Sequence, residues 1–233
     1  MRAVALLTLN FLREQRWVLL ALAVYGGGMG AVLAFSSEQP NREDLFFYAR
    51  QQGALGLLFG VFLVSSAIHN DRRSRRLLLI FSKAVARWQY LIALALGAAC
   101  VSTGFILLAW AGLLGISSRW AIALDVSLRS LLLFVPLALL ANTIGLCFAT
   151  FAHPFFANVL TLSVLGSSFA IAPLVHGYSV FLLPGANLLL PTLVGRSTRE
   201  ASLGIFVVAL QIGLTFALAC WTYSRRDLGI NVE

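Results

Sequence analysis

Charge is missing from most of this chain, and the places where it is missing restrict what the chain can fold into. Five runs contain no Asp, Glu, Lys or Arg: residues 17–37, 51–70, 88–118, 130–195 and 201–224, of 21, 20, 31, 66 and 24 residues. An α-helix rises about 1.5 Å per residue, so ~20 apolar residues cross ~30 Å of hydrocarbon. Each run can therefore cross a bilayer once, and the longest holds two crossings. The pattern predicts an all-α membrane protein with six transmembrane helices, near residues 17–35, 48–69, 89–114, 131–151, 155–174 and 202–223.

Composition points the same way. Mean hydropathy is +0.89, and 11% of residues are charged, against roughly 25% in water-soluble domains. No polar stretch between the runs is long enough for a soluble domain, so residues 1–233 read as one polytopic membrane domain. Cys100, Cys147 and Cys220 fall in three different predicted spans with no C-x-x-C pair. They read as small apolar packing residues rather than as a disulfide or metal framework.

The 17 basic residues set the expected orientation. Six spans put both termini on one side, together with 11 of the Lys and Arg residues, and leave 6 on the other. The positive-inside rule makes the richer side cytoplasmic, in a cell (inner or plasma) membrane. The net charge of +8 then belongs mainly to a face that attracts anionic lipid headgroups. Nucleic-acid binding is a poor reading of it, because the basic residues flank membrane helices.

Residues 1–16 differ from the span that follows. On a helical wheel Arg2, Asn10, Arg13, Glu14 and Arg16 occupy an arc of ~160°, opposite Val4, Leu7 and Phe11. That suits a helix lying in the membrane interface, with a simple extension of the first span as the alternative. A signal peptide is rejected, since the apolar stretch ends in Arg13-Glu14-Gln15-Arg16 rather than in a small-residue cleavage site. Gly26/Gly30 and Gly56/Gly60 each form G-x-x-x-G, which serves close packing within one bundle or pairing of subunits. Residues 177–195 are apolar but punctuated by Gly177, Pro184, Gly185, Pro191 and Gly195. They are expected to form short re-entrant helices on the outer face.

The segment between the second and third spans carries the most chemistry. It opens with Asn70-Asp71-Arg72-Arg73-Ser74-Arg75-Arg76 and continues with five apolar residues, Leu77 to Phe81. Ser82-Lys83-Ala84-Val85-Ala86-Arg87-Trp88 follows. A loop needing only solubility has no use for five consecutive apolar side chains, so this one is expected to dock on lipid or on a cytoplasmic protein.

These residues, in this order, resemble the loop between spans 2 and 3 in the permease subunit of type-2 ATP-binding-cassette exporters. That loop runs from an acidic residue and arginine through a leucine-rich turn to Ser-x-Pro-Val-Ser-Arg; Ala84 stands at its frequent proline. An elbow helix before six spans, and re-entrant helices between spans 5 and 6, complete the likeness over the whole length. The resemblance implies a coupling segment over residues 71–88, with Asp71, Arg72, Leu77, Leu78, Phe81, Ser82 and Arg87 as the ATPase-coupling residues. The chain has no G-x-x-x-x-G-K-[ST], so it cannot cradle ATP itself. The resemblance implies ATP and Mg on separate ATP-binding subunits, a second permease chain, the same or related, and an apolar or amphipathic cargo moved through the membrane.

Three other functions compete with this reading. A membrane enzyme would rely on His69, His153 or His176, which are expected to lie apart near span ends. An ion-coupled transporter or channel would use ionisable groups inside the spans, and none is present. A non-transporting scaffold subunit shares the apolar spans and differs in having no reason to keep an ATPase-docking loop.

Overall fold

The computed structural model describes residues 2–36, 39–73, 80, 85–120, 125–171 and 198–225; the side chains of Arg42, Arg72 and residues 125–130, 167–171 and 198–201 are not among those described. Within these residues the chain is all-helical, with seven helices and no strand. They are α1 (Arg2–Glu14), α2 (Arg16–Ala34), α3 (Arg42–Arg73), α4 (Arg87–Trp120), α5 (Asp125–Phe151), α6 (Pro154–Ile171) and α7 (Thr198–Arg225). Five of them, α2, α3, α4, α5 and α7, are long and apolar enough to cross a membrane. The shorter α6 is apolar over Pro154–Gly166. The chain is thus built for repeated passage through a bilayer. The re-entrant segment expected at 177–195 lies outside the described residues.

Contacts between helices fix their directions. Gly26 packs against Phe105 and Gly30 against Gly112, so α2 and α4 run parallel. Gly56 meets Ile106, Gly60 meets Ser102 and Asp71 meets Tyr90, so α3 runs against α4. Gly53 meets Phe134 and Gly60 meets Asn142, which makes α3 and α5 parallel. Thr143 pairs with Thr215 and Thr150 with Thr222, so α5 and α7 are parallel too. Ser65 bonds Asn158, while His69 touches His153, and α6 therefore opposes α3. Successive helices from α2 to α7 thus alternate in direction.

The bundle centres on α4 and α5, which pack against each other and share α3 and α7 as neighbours. Lipid tails are as apolar as leucine, so burial of greasy side chains does not drive these helices together; close packing and interhelical hydrogen bonds do. The glycines supply the first. The α2 and α4 backbones touch at Gly30 and Gly112, roofed by the Tyr48 hydroxyl. A methyl group at Gly60 would collide with the Asn142 carboxamide and the Ser102 hydroxyl. All four residues of the two G-x-x-x-G motifs face neighbours within the chain, which assigns both motifs to internal packing.

Interior polar pairs supply the second. The Asn142 amide donates to the Ser102 hydroxyl at 3.1 Å, and the Ser65 hydroxyl to the Asn158 carbonyl oxygen at 2.7 Å. The Thr143–Thr215 and Thr150–Thr222 hydroxyl pairs stand at 3.0 and 3.1 Å.

Helix α1 is separate from α2. The chain bends at Gln15 (φ −86°, ψ 9°) with no side-chain cap, and α1 lies mainly against α4. Phe11, its one buried residue, rests on Gly97, where a side chain would collide with the ring. Leu6 and Leu9 face outward. Helix α1 is thus amphipathic and distinct from the helix that follows.

Candidate functional site

With 32 residues in α3 and 34 in α4, these helices reach about 48 and 51 Å at 1.5 Å per residue. Both exceed the ~30 Å of a hydrocarbon core. The ends that the loop joins carry charge, at Asp71 and Arg73 in α3 and at Arg87 in α4. At its base the two helices are tied together. Tyr90, buried in the first turn of α4, donates its hydroxyl to Asp71 Oδ2 at 2.7 Å. Asp71 lies in the last turn of α3 and Tyr90 in the first turn of α4, so this bond joins the residues entering and leaving the loop.

The start of α4 is defined by its own sequence. The Gln89 side chain reaches back to accept the Ala86 amide at 3.1 Å, while the Ala86 carbonyl accepts from the Gln89 and Tyr90 amides at 2.9 and 3.3 Å. This is the glutamine half of a capping box, with alanine at the cap position. Ile80, half-buried, packs against the cluster formed by Phe11, Ile68, Tyr90, Leu91 and Leu94. One apolar residue of the loop's leucine-rich run thus anchors inward.

A second tie reaches α7. Arg87 Nη1 donates to the Tyr223 and Ser224 carbonyls at 3.3 and 3.0 Å. The last carbonyls of a helix lack intrahelical partners and sit at the negative end of its dipole, so a guanidinium there completes the helix end. The Tyr90 and Tyr223 rings stack with centroids 6.2 Å apart and planes at 24°. Asp71, Tyr90, Tyr223 and Arg87 therefore link the ends of α3, α4 and α7 in one cluster.

Of the coupling residues named from sequence, Asp71 and Arg87 belong to this cluster. Leu77, Leu78, Phe81 and Ser82 lie outside the described residues, as does the side chain of Arg72. Tyr90 and Tyr223 were missed. Their signal in the sequence was only that of aromatic residues at helix ends, which membrane helices carry anyway.

One expectation is overturned. The histidines were expected to lie apart, yet His69 and His153 touch edge to face with ring centroids 4.9 Å apart. His69 lies near the end of α3, and His153 between α5 and α6, where its Nδ1 accepts the Phe155 amide at 3.4 Å. Because α3 and α5 are parallel, their ends meet at one depth. Among the described residues no third ligand-type side chain joins them into a metal site, and His176 lies outside those residues. No protein-family model matches the chain, and no curated protein matches it.

Proposed function

We infer that this chain is the permease subunit of a type-2 ATP-binding-cassette exporter. The reading makes α2 to α7 six crossings, with α6 as the fifth, α1 as the elbow helix in the cytoplasmic interface, and residues 71–88 as the coupling segment. Both termini face the cytoplasm across the cell membrane. ATP and Mg bind partner subunits that dock on the loop, and a second permease chain completes a pathway for an apolar or amphipathic cargo. The alternating helix directions support six crossings, and the separate, amphipathic α1 supports the elbow.

The observation that carries the reading is the order Asp71-Arg72, Leu77 to Phe81, Ser82 to Trp88 in a loop whose base is tied to three helices. A partner pushing on a slack loop moves only the loop. A push on this one reaches α3 through Asp71, α4 through Tyr90 and α7 through Arg87. A conformational change driven this way requires the partner to bind the two states with different affinity. The partner supplies the chemistry, and this chain converts it into movement of helices around the cargo.

Replacing Leu78 and Phe81 together with Asp tests the docking surface. The double variant is expected to insert in the membrane at normal levels and to lose its ATP-binding partner on affinity purification. A variant that inserts and keeps that partner places docking elsewhere. A wild-type chain that copurifies only with proteins lacking nucleotide-binding motifs identifies a scaffold.

A further inference from the structure

Helix α2 carries glycine at four of five consecutive positions, Gly26, Gly27, Gly28 and Gly30. Packing accounts for two of them, since Gly26 meets Phe105 and Gly30 touches Gly112. Gly27 and Gly28 have nothing within 4 Å, so a side chain would fit at either. Glycine weakens a helix interior, and pairs of small residues are among the few places where helices kink. The ties that hold α2 are also few. It buries only Leu22, Gly26 and Gly30, and among the described residues no hydrogen bond joins it to another helix. Just past its end, the Phe35 ring lies under Arg119 at 5.2 Å.

What α2 covers is polar. Tyr48, Gln52 and Gly56 recur every four residues and so share one side of α3. The Tyr48 hydroxyl sits over the Gly30–Gly112 contact, and Gly56 meets Phe105, the ring that also covers Gly26. Gln52 stands midway between Tyr48 and Gly56, hence level with Gly28. Tyr48 is 2% exposed and Gln52 is fully buried, and neither the hydroxyl nor the amide has a hydrogen-bond partner among the described residues. Polar groups shut unpaired into an apolar bundle disfavour the arrangement that encloses them. The unpaired groups thus supply a drive to open, and the two glycines that packing does not require supply a place to bend.

We propose that α2 bends at Gly27 and Gly28, that its Gly30 end swings away from α3 and α4, and that the crevice so formed binds water at Tyr48 and Gln52. Water both donates and accepts, as the tyrosine hydroxyl and the carboxamide require. The structure shows the closed arrangement. The inference does not rest on the exporter reading, since it concerns helices of one chain and holds for any function.

The full-length protein in phospholipid nanodiscs is mixed with heavy-oxygen water and given brief radiolytic pulses, which turn water into hydroxyl radicals; ring hydroxylation is read by mass spectrometry. Phe35, 76% exposed, is the wetted reference, and Phe134, buried against Gly53, is the dry one. A crevice open in about 10% of molecules, the upper end for a minor state, hydroxylates Tyr48 at about a tenth of the Phe35 rate. Gly27→Ala combined with Gly28→Ala stiffens α2 without a clash, and Gln52→Leu removes the amide that water solvates. Each is expected to lower Tyr48 hydroxylation several-fold and to leave Phe35 unchanged. Tyr48 as slow as Phe134 in the wild type overturns the crevice. The wild-type rate retained in the double-alanine variant overturns the bend, and retained in Gln52→Leu it overturns the drive. Hydroxylation of Tyr48 without heavy oxygen identifies a trapped water and overturns the opening.

Discussion

Gly60 and Gly213 show how much a single residue matters here. Both are helix-interior glycines, but a methyl at Gly60 meets Asn142 and Ser102, whereas Gly213 has nothing within 4 Å. Gly60→Ala therefore forces apart a hydrogen-bonded pair at the centre of the bundle and is expected to cost about 1–3 kcal/mol. Gly213→Ala gains helix propensity and is expected to be neutral or to stabilise by up to ~1 kcal/mol. Thermal unfolding in detergent separates the two. Gln52 offers the opposite case. It is fully buried in α3, and neither of its amide atoms has a hydrogen-bond partner among the described residues. A buried polar group left unpaired costs about 1–3 kcal/mol, so Gln52→Met should raise the unfolding temperature. A lower temperature would mean that the amide holds something in place.

Among the elements, α3 and α4 flank the proposed coupling segment. Their apolar centres were legible in sequence because a hydrocarbon core excludes charge, and charges are easy to see. Their full lengths were not, because the ends carry charged and aromatic residues that stay helical outside the core. The register between helices was equally hidden. Nothing in one sequence says that Asp71 meets Tyr90, or that His69 meets His153, since each contact depends on how two distant segments slide past one another. The order of residues in the proposed coupling segment was visible, while the cluster of Asp71, Tyr90, Tyr223 and Arg87 required the fold. Tyr90→Phe removes the donor to Asp71 and leaves the stacked ring. It is expected to cost about 1.5–3 kcal/mol, as hydrogen bonds to charged groups do, and to speed tryptic cleavage in the Arg72–Arg76 stretch. Unchanged cleavage would show that the loop base does not rely on this bond.

At the scale of the whole molecule, helices alternate in direction around α4 and α5, and Asp71, Arg87, Tyr90 and Tyr223 meet at one end. That end also holds the contact between His69 and His153. Basic side chains crowd this face, which fits the side that the positive-inside rule makes cytoplasmic. The central claim is that a separate ATPase works on this end. Its most direct test is affinity purification of the tagged wild-type chain from its native membrane in mild detergent, with mass-spectrometric identification of everything bound in stoichiometric amount. The account predicts a partner bearing a G-x-x-x-x-G-K-[ST] motif. A chain recovered alone, or only with proteins lacking any such motif, contradicts it.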